Sequence, residues 1–196
     1  PPPPPPPPRP APDRSLDEPV EPAPRRRRRR WPLVAAIVVA ACIAAVAVVA
    51  QDDGPTIAGA TSFDPEGDGH EREDLVGNAI DGDPETAWTS ERYDDPVALA
   101  GGKDGFGLVI ELAGASDLSQ VSVDTAEGGW SARVYAADAP GDDLESWGEP
   151  LASVADASTG TTTFAVDASG VREVMVWFTQ VAPSGLVSVS DVAVRA

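Results

Sequence analysis

Residues 58–196 read as an all-β sandwich. Three observations predict it. Short apolar stretches recur between Gly/Asp/Pro/Ser clusters. Several of them alternate apolar and polar residues, as in Val121-x-Val123 and Val187-x-Val189, the pattern of strands with one buried face. No stretch in this region keeps a helical period for more than two turns. About 140 residues suffice to bury a core without help. They must do so here, because the single cysteine, Cys42, leaves no intrachain disulfide.

Two segments of different character come first. The chain opens on Pro1 within a proline run, so it is expected to be part of a longer or processed protein. Residues 1–24 are dense in proline, which fixes φ and removes donors, so they are expected to be extended or disordered. A spacer is the plain reading, and a ligand for a proline-binding domain the other. Arg25–Arg30 form an unbroken basic run, completing a Pro/Arg-rich cytoplasmic linker over 1–30. A span is expected over 31–50, since Leu33–Ala50 carries no charge or strongly polar side chain. Eighteen residues at a rise of about 1.5 Å reach roughly 27 Å, close to the hydrocarbon thickness of a bilayer. Trp31 lies at its edge, and the arginines on that side place the N-terminus in the cytoplasm and residues 51–196 outside. Val48-Val49-Ala50 suits a signal peptidase, and Val39–Cys42 resembles a lipobox, but the apolar run continues beyond Cys42. Cys42 therefore reads as a small packing residue in the membrane.

Residues 51–57 read as a linker, and the strands follow. Thr56–Phe63, the Ala87–Ser90 stretch, Gly105–Leu112, Ser119–Thr125, Ser131–Ala137, Thr161–Asp167, Arg172–Val181 and Leu186–Ala196 make about eight. Val174–Phe178 is apolar throughout and suits a central strand. Trp88 and Trp177 are expected in the core.

Charge narrows the functions open to the chain. Residues 1–50 hold eight basic and four acidic residues, and residues 51–196 hold six and 28, a balance of +4 against −22. The acidic part would repel phosphates, so nucleic acid is not an expected partner. His70 is the only histidine, and no cysteine lies outside the apolar run, which argues against a zinc site or a Ser-His-Asp triad. No phosphate loop or dinucleotide fingerprint is present. Paired carboxylates for glycoside hydrolysis are not singled out among so many acids.

Ala79, Asp81, Gly82, Asp83, Thr86 and Trp88 form A-x-D-G-D-x-x-T-x-W. This pattern resembles the discoidin, or F5/8 type C, family, which consists of galactose-binding-like jelly rolls. Leu108–Ala113 resembles that family's strand and turn, and Asp191–Val194 its closing strand. Ser62–Glu71, Asn78–Ser90, Gly102–Leu112 and Val174–Gly185 together look like a module of actinobacteria. That module follows a single span in MviN-type, lipid II flippase-related pseudokinase proteins and in some transmembrane Ser/Thr kinases. The resemblance covers residues 58–196.

It implies a structural calcium held by Asp81, the Asp83 carbonyl, Thr86 and an acid of the last strand. Here that acid is Asp191 in place of the family's glutamate, with less reach. Calcium takes six to eight hard oxygens, which such a loop supplies. The other reading is an Asx-type turn in which Asp81 bonds its own backbone and Gly82 takes a positive φ. Asp64–Glu71 is a second acidic cluster without EF-hand spacing, expected to be an ordered surface loop. Tyr93, Trp130 and Trp147 either stack on a sugar or pack in the core. Arg92, Lys103 and Arg133 either meet a ligand's carboxylate or phosphate or balance local acids. Tyr93, Trp130, Arg92 and Arg133 are the candidate ligand residues. The expected function is a non-catalytic module that binds cell-wall glycan, peptidoglycan or its precursor. A protein docking domain for cell-wall machinery is the alternative, and an extracellular hydrolase the weakest.

Overall fold

The computed structural model describes residues 54–99 and 102–196. The Pro/Arg-rich linker, the span and residues 51–53 of the 51–57 linker lie outside the described residues, and Ile57 already belongs to the first strand. Among the described residues, no helix is long and apolar enough to cross a membrane.

Among the described residues seven strands form, as expected of an all-β domain. They are β1 (Ile57–Phe63), β2 (Trp88–Thr89), β3 (Phe106–Thr125), β4 (Ser131–Ala137), β5 (Ala152–Val154), β6 (Gly160–Gln180) and β7 (Ser188–Arg195). All pairings are antiparallel. Two pairs of expected strands are continuous. Gly105–Leu112 and Ser119–Thr125 belong to one strand, β3, and Thr161–Asp167 and Arg172–Val181 to one strand, β6. The polar stretches between them read as turns. Instead they pair with each other, Ser116 opposite Val171 and Leu118 opposite Ala168, through register shifts at bulges. Asp117 adds a side-chain bond, its carboxylate accepting from the Gly170 N–H at 3.0 Å. Bulges bend and twist a strand without ending it. The three-residue β5, with one serine and two small apolar residues, carries too little pattern to be read in advance.

The bend in β3 and β6 creates two layers. The first half of β3 pairs with β1 and with the second half of β6, which continues to β4 and β5. The second half of β3 pairs with the first half of β6 on one side and with β7 on the other, and β7 leads to β2. The inward residues of both layers meet between them. Leu108, Ile110, Val121, Val123, Val134, Val174 and Val176 are all fully buried. Phe178 lies at the centre of an aromatic group, with ring centroids 5.6 Å from Phe106, 5.6 Å from Trp130 and 6.0 Å from Trp88. The apolar run Val174–Phe178 is buried on both faces because a second cluster covers the outside. Met175 and Trp177 point outward to Val109, Tyr135 and Trp147, beneath the short 3-10 turn Leu144–Trp147. Trp177 is thus buried, but in this outer cluster and not between the layers.

Phe178→Ala is expected to lower the unfolding free energy by about 3–5 kcal/mol, the cost of a large cavity in a packed core. Val97→Ala, at a side chain 67% exposed, is expected to change it by about 0.5 kcal/mol or less. Denaturant titration of both variants checks the contrast.

Candidate functional site

The loop before β2 folds as the Asx reading expects. The Asp81 carboxylate accepts from the Asp83 N–H at 2.8 Å through Oδ1. Its Oδ2 lies 2.8 Å from the Thr86 hydroxyl, which is also 3.0 Å from the Asp83 carbonyl. Asp83 Oδ1 accepts from the Glu85 N–H at 2.9 Å, and the Asp83 carbonyl from the Thr86 N–H at 3.1 Å. Gly82 takes φ +72°, a conformation that favours glycine. The turn delivers Trp88 to the core, where its Nε1 donates to the Glu71 carbonyl at 2.8 Å.

Asp191 comes to this turn from β7. It stands directly opposite Asp124 in the β3–β7 ladder, a like-charge pair that opposes pairing. Burial, then Asp124, then Asp81 push the Asp191 carboxyl above its ordinary range. Between turn and ladder lies a cleft of about 630 Å³, lined among others by Gly82, Pro84, Thr86, Asp124, Ser190 and Asp191. The expected calcium donors Asp81, Asp83, Thr86 and Asp191 therefore gather around one place. All are hard oxygens, the class calcium takes. No three His, Cys, Asp or Glu side chains among the described residues are arranged to hold a metal ion. Both Asp81 oxygens already accept bonds that hold the turn.

The acidic stretch 64–71 is a surface loop only in its middle. Its two ends, Asp64 and Glu71, are buried. Lys103 enters between them, its Nζ 2.7 Å from Asp64 Oδ2, 3.4 Å from Glu71 Oε1 and 3.2 Å from the Tyr93 hydroxyl. The Tyr93 hydroxyl donates to Glu71 Oε1, and the Glu91 N–H donates to Glu71 Oε2 at 2.7 Å. Asp64 Oδ1 is buried without a partner. Burial pushes the Glu71 carboxyl up, against the Tyr93, Glu91 and Lys103 contacts that pull it down. Burial and the neighbouring Glu71 push the Tyr93 hydroxyl far above its ordinary value. Burial alone would lower the Lys103 ammonium, but Asp64 and then Glu71 outweigh it and raise it. The sequence marked Lys103 as one of three cations that meet a ligand or balance local acids, and 64–71 separately as an acidic loop; the structure gives Lys103 the second role. Their pairing, across 39 and 32 positions, carries no local signal.

Two candidate ligand residues are corrected. Tyr93 and Trp130 are 4% and 0% exposed and offer no ring face to a sugar. Tyr93 stacks on Phe106 at 5.4 Å, and Trp130 donates through Nε1 to Thr125 Oγ1 at 3.0 Å. Trp147 is buried as well. Arg92 is exposed, and its guanidinium donates to the Ser184 carbonyl, tying the loop after β2 to the loop before β7. Arg133 is exposed on the outer face of β4, opposite Trp177. The two arginines serve different surfaces.

No protein-family model matches the chain. Among solved structures it is similar to CBM32 of AlyQ in complex with 4,5-unsaturated mannuronic acid, with TM-score 0.53 and 16% identity over 72% of this chain and 96% of that one. It is similar to chitosan-binding module 2 of a chitosanase/glucanase from Paenibacillus sp. IK-5, in complex with chitotriose, with TM-score 0.52 and 19% identity over 70% and 95%. It also resembles a truncated AlyQ with CBM32 and alginate lyase domains, with TM-score 0.54 and 15% identity over 73% of this chain, and spans only 33% of that one. At such identities the likeness shows the fold. The described residues form an all-β jelly roll of the kind found in CBM32 carbohydrate-binding modules, the galactose-binding-like architecture that the discoidin resemblance implies.

Two substitutions probe this end of the molecule. Lys103→Met leaves Asp64 and Glu71 buried without a countercharge and is expected to cost roughly 3–5 kcal/mol near neutral pH. The deficit should shrink on acidification, as the Glu71 carboxyl, already raised by burial, takes up its proton. Asp191→Asn acts in the opposite direction. A carboxyl raised in the folded state stabilises below its ordinary value of 3.8 and loses that contribution as pH rises through the raised value. The asparagine does not titrate, so without divalent ions Tm at neutral pH should rise by about 1–3 °C. Thermal unfolding in EDTA across this pH range checks the sign.

Proposed function

We propose that residues 54–196 act as a non-catalytic carbohydrate-binding module, held outside the cytoplasmic membrane by the span read at 31–50, that recognises cell-wall glycan, peptidoglycan or its lipid-linked precursor. The observation that carries this reading is the cleft beside the Asp81–Thr86 turn. It offers hydroxyls from Thr86, Ser188 and Ser190 and carboxylates from Asp124 and Asp191, on a fold shared with modules whose structures contain sugars. Every Trp and Tyr among the described residues is buried, so such a ligand is held by hydrogen bonds and not by ring stacking. The acidic surface narrows the glycan further. A domain with 26 acids against six bases repels polyanions and suits neutral or amine-bearing sugars.

Calcium fits this reading as a structural ion and not as a reactant. Asp81, Thr86, Asp191 and the Asp83 carbonyl would hold it, and its charge would offset the mutual repulsion of Asp81, Asp124 and Asp191. The specific observation in its favour is geometric: Asp191 of β7, directly opposite Asp124, meets the Asp81–Thr86 turn at one cleft. A larger protein would use such a module as its sensor or anchor at the cell wall.

Co-sedimentation of the full chain, in detergent micelles, with insoluble peptidoglycan tests both statements. The expected outcome is binding in calcium that falls at least tenfold in EDTA and in Asp81→Asn. Binding unchanged by EDTA would remove the ion from the reading. Absence of binding in either buffer would overturn the cell-wall assignment and favour docking to protein.

A further inference from the structure

A second crevice, of about 260 Å³, opens on the outer face of the first layer. It shares no residue with the cleft described above. Pro65 and Leu144 line it, with the carboxylates of Glu66, Asp104 and Asp143 and, at its base, Trp177. Two of the carboxylates are fixed by backbone donors. Glu66 Oε2 accepts from the Asp104 N–H at 2.6 Å, and Asp143 Oδ1 accepts from the Ser146 N–H at 2.9 Å. The other oxygen of each takes no hydrogen bond from a described residue, and no ion pair among the described residues involves any of the three acids. No Lys or Arg lines the crevice.

The base carries an independent mark. Trp177 is 1% exposed, and its Nε1–H has no acceptor, a cost that buried donors rarely bear. The segment bearing Asp104 lies directly against that edge of the indole. A Cβ on Gly105 would come within 2.5 Å of both Nε1 and Cε2, so only glycine permits the approach.

Three acceptors of one sign and one unpaired donor select a ligand with both a cation and an accepting oxygen. A lysine or arginine side chain has no acceptor for the indole. A neutral sugar leaves the carboxylates without a countercharge. A divalent ion makes no use of the N–H. The volume falls below the roughly 300–1,000 Å³ of pockets that enclose larger ligands, which suits one monosaccharide unit. We propose that this crevice binds a single protonated amino-sugar residue, its ammonium against Glu66, Asp104 and Asp143 and a hydroxyl oxygen accepting from Trp177 Nε1. Charge-assisted bonds to fixed carboxylates supply the preference for amine over acetamide. The proposal rests on the glycan-binding reading above and adds to it a second contact surface and a sugar class.

The test is ¹H–¹⁵N NMR of the full chain in micelles. It is titrated with a β-1,4-linked glucosamine tetramer and with its N-acetylated counterpart, at a pH where the amine is protonated. The glucosamine tetramer is expected to shift the Trp177 indole signal and the Asp104 and Ser146 amides, with at least tenfold higher affinity than the acetylated tetramer. Glu66→Gln with Asp143→Asn keeps the oxygens that accept from the backbone but removes two charges, and should abolish that preference. Trp177→Phe should weaken binding of both tetramers while leaving the preference in place. Equal response to both tetramers overturns the proposal. So do shifts confined to Ser190 and its neighbours, although the glycan-binding reading then stands. Shifts at Trp177 caused by a lysine peptide and not by the amino sugar overturn it in favour of protein docking. Absence of any saccharide response at either place removes both readings.

Discussion

Strands β3 and β6 remain paired from Phe106 opposite Phe178 to Thr125 opposite Gly160, although both leave one layer and enter the other on the way. The two layers are thus folded halves of one long ribbon. Their separation and facing are set by where the ribbon bends, at the bulges between Glu111 and Gln120. Everything else attaches to it. β1, β4 and β5 extend the first layer, and β7 and β2 the second. The core is the space the ribbon encloses, filled by alternate residues of these two strands together with Val134 of β4, Val192 of β7, Trp88 and Trp130.

Ribbon and loops are joined by buried polar contacts as well as apolar ones. Glu71 receives the Glu91 N–H and the Tyr93 hydroxyl, and its own carbonyl receives the Trp88 indole. The loop after β2 is thereby fastened to the loop after β1. Burying two acids is costly, and Lys103 offsets part of that cost at one shared point. The loops at this end of the sandwich are joined through the bonds to Glu71 and not through regular secondary structure, of which they have little.

The same economy of cations shapes the surface. Lys103 is committed inside, and Arg172 pairs with Asp138. The large aromatic rings lie inside too, around Phe178 between the layers and around Trp177 outside the first. What faces solvent near the two hollows is oxygen. Carboxylates and hydroxyls recognise by hydrogen bond and charge, which suits polyhydroxylated and amine-bearing ligands better than apolar or anionic ones.

Much of this was legible in the residues themselves. Alternation at Val121–Val123 and Val187–Val189 marked strands because the side-chain period of a strand is two whatever surrounds it. The Asp81–Thr86 turn was legible because Asx bonding and the positive φ of Gly82 are local. The continuity of β3 and β6 was not, since Ala113–Leu118 and Ala168–Val171 have turn composition and are kept extended largely by pairing with each other. The roles of Tyr93 and Trp130 were not legible either. A ring beside a loop looks the same in sequence whether it turns to solvent or to Phe106 and Phe178. The pairing of Lys103 with Asp64 and Glu71, and the meeting of Trp177 with Glu66, Asp104 and Asp143, join residues far apart along the chain. Sequence determined the class of fold, the charge and the local turns, because these depend on neighbours in the chain. Tertiary structure alone decided which acids face each other and which rings are hidden, because those depend on where the ribbon bends.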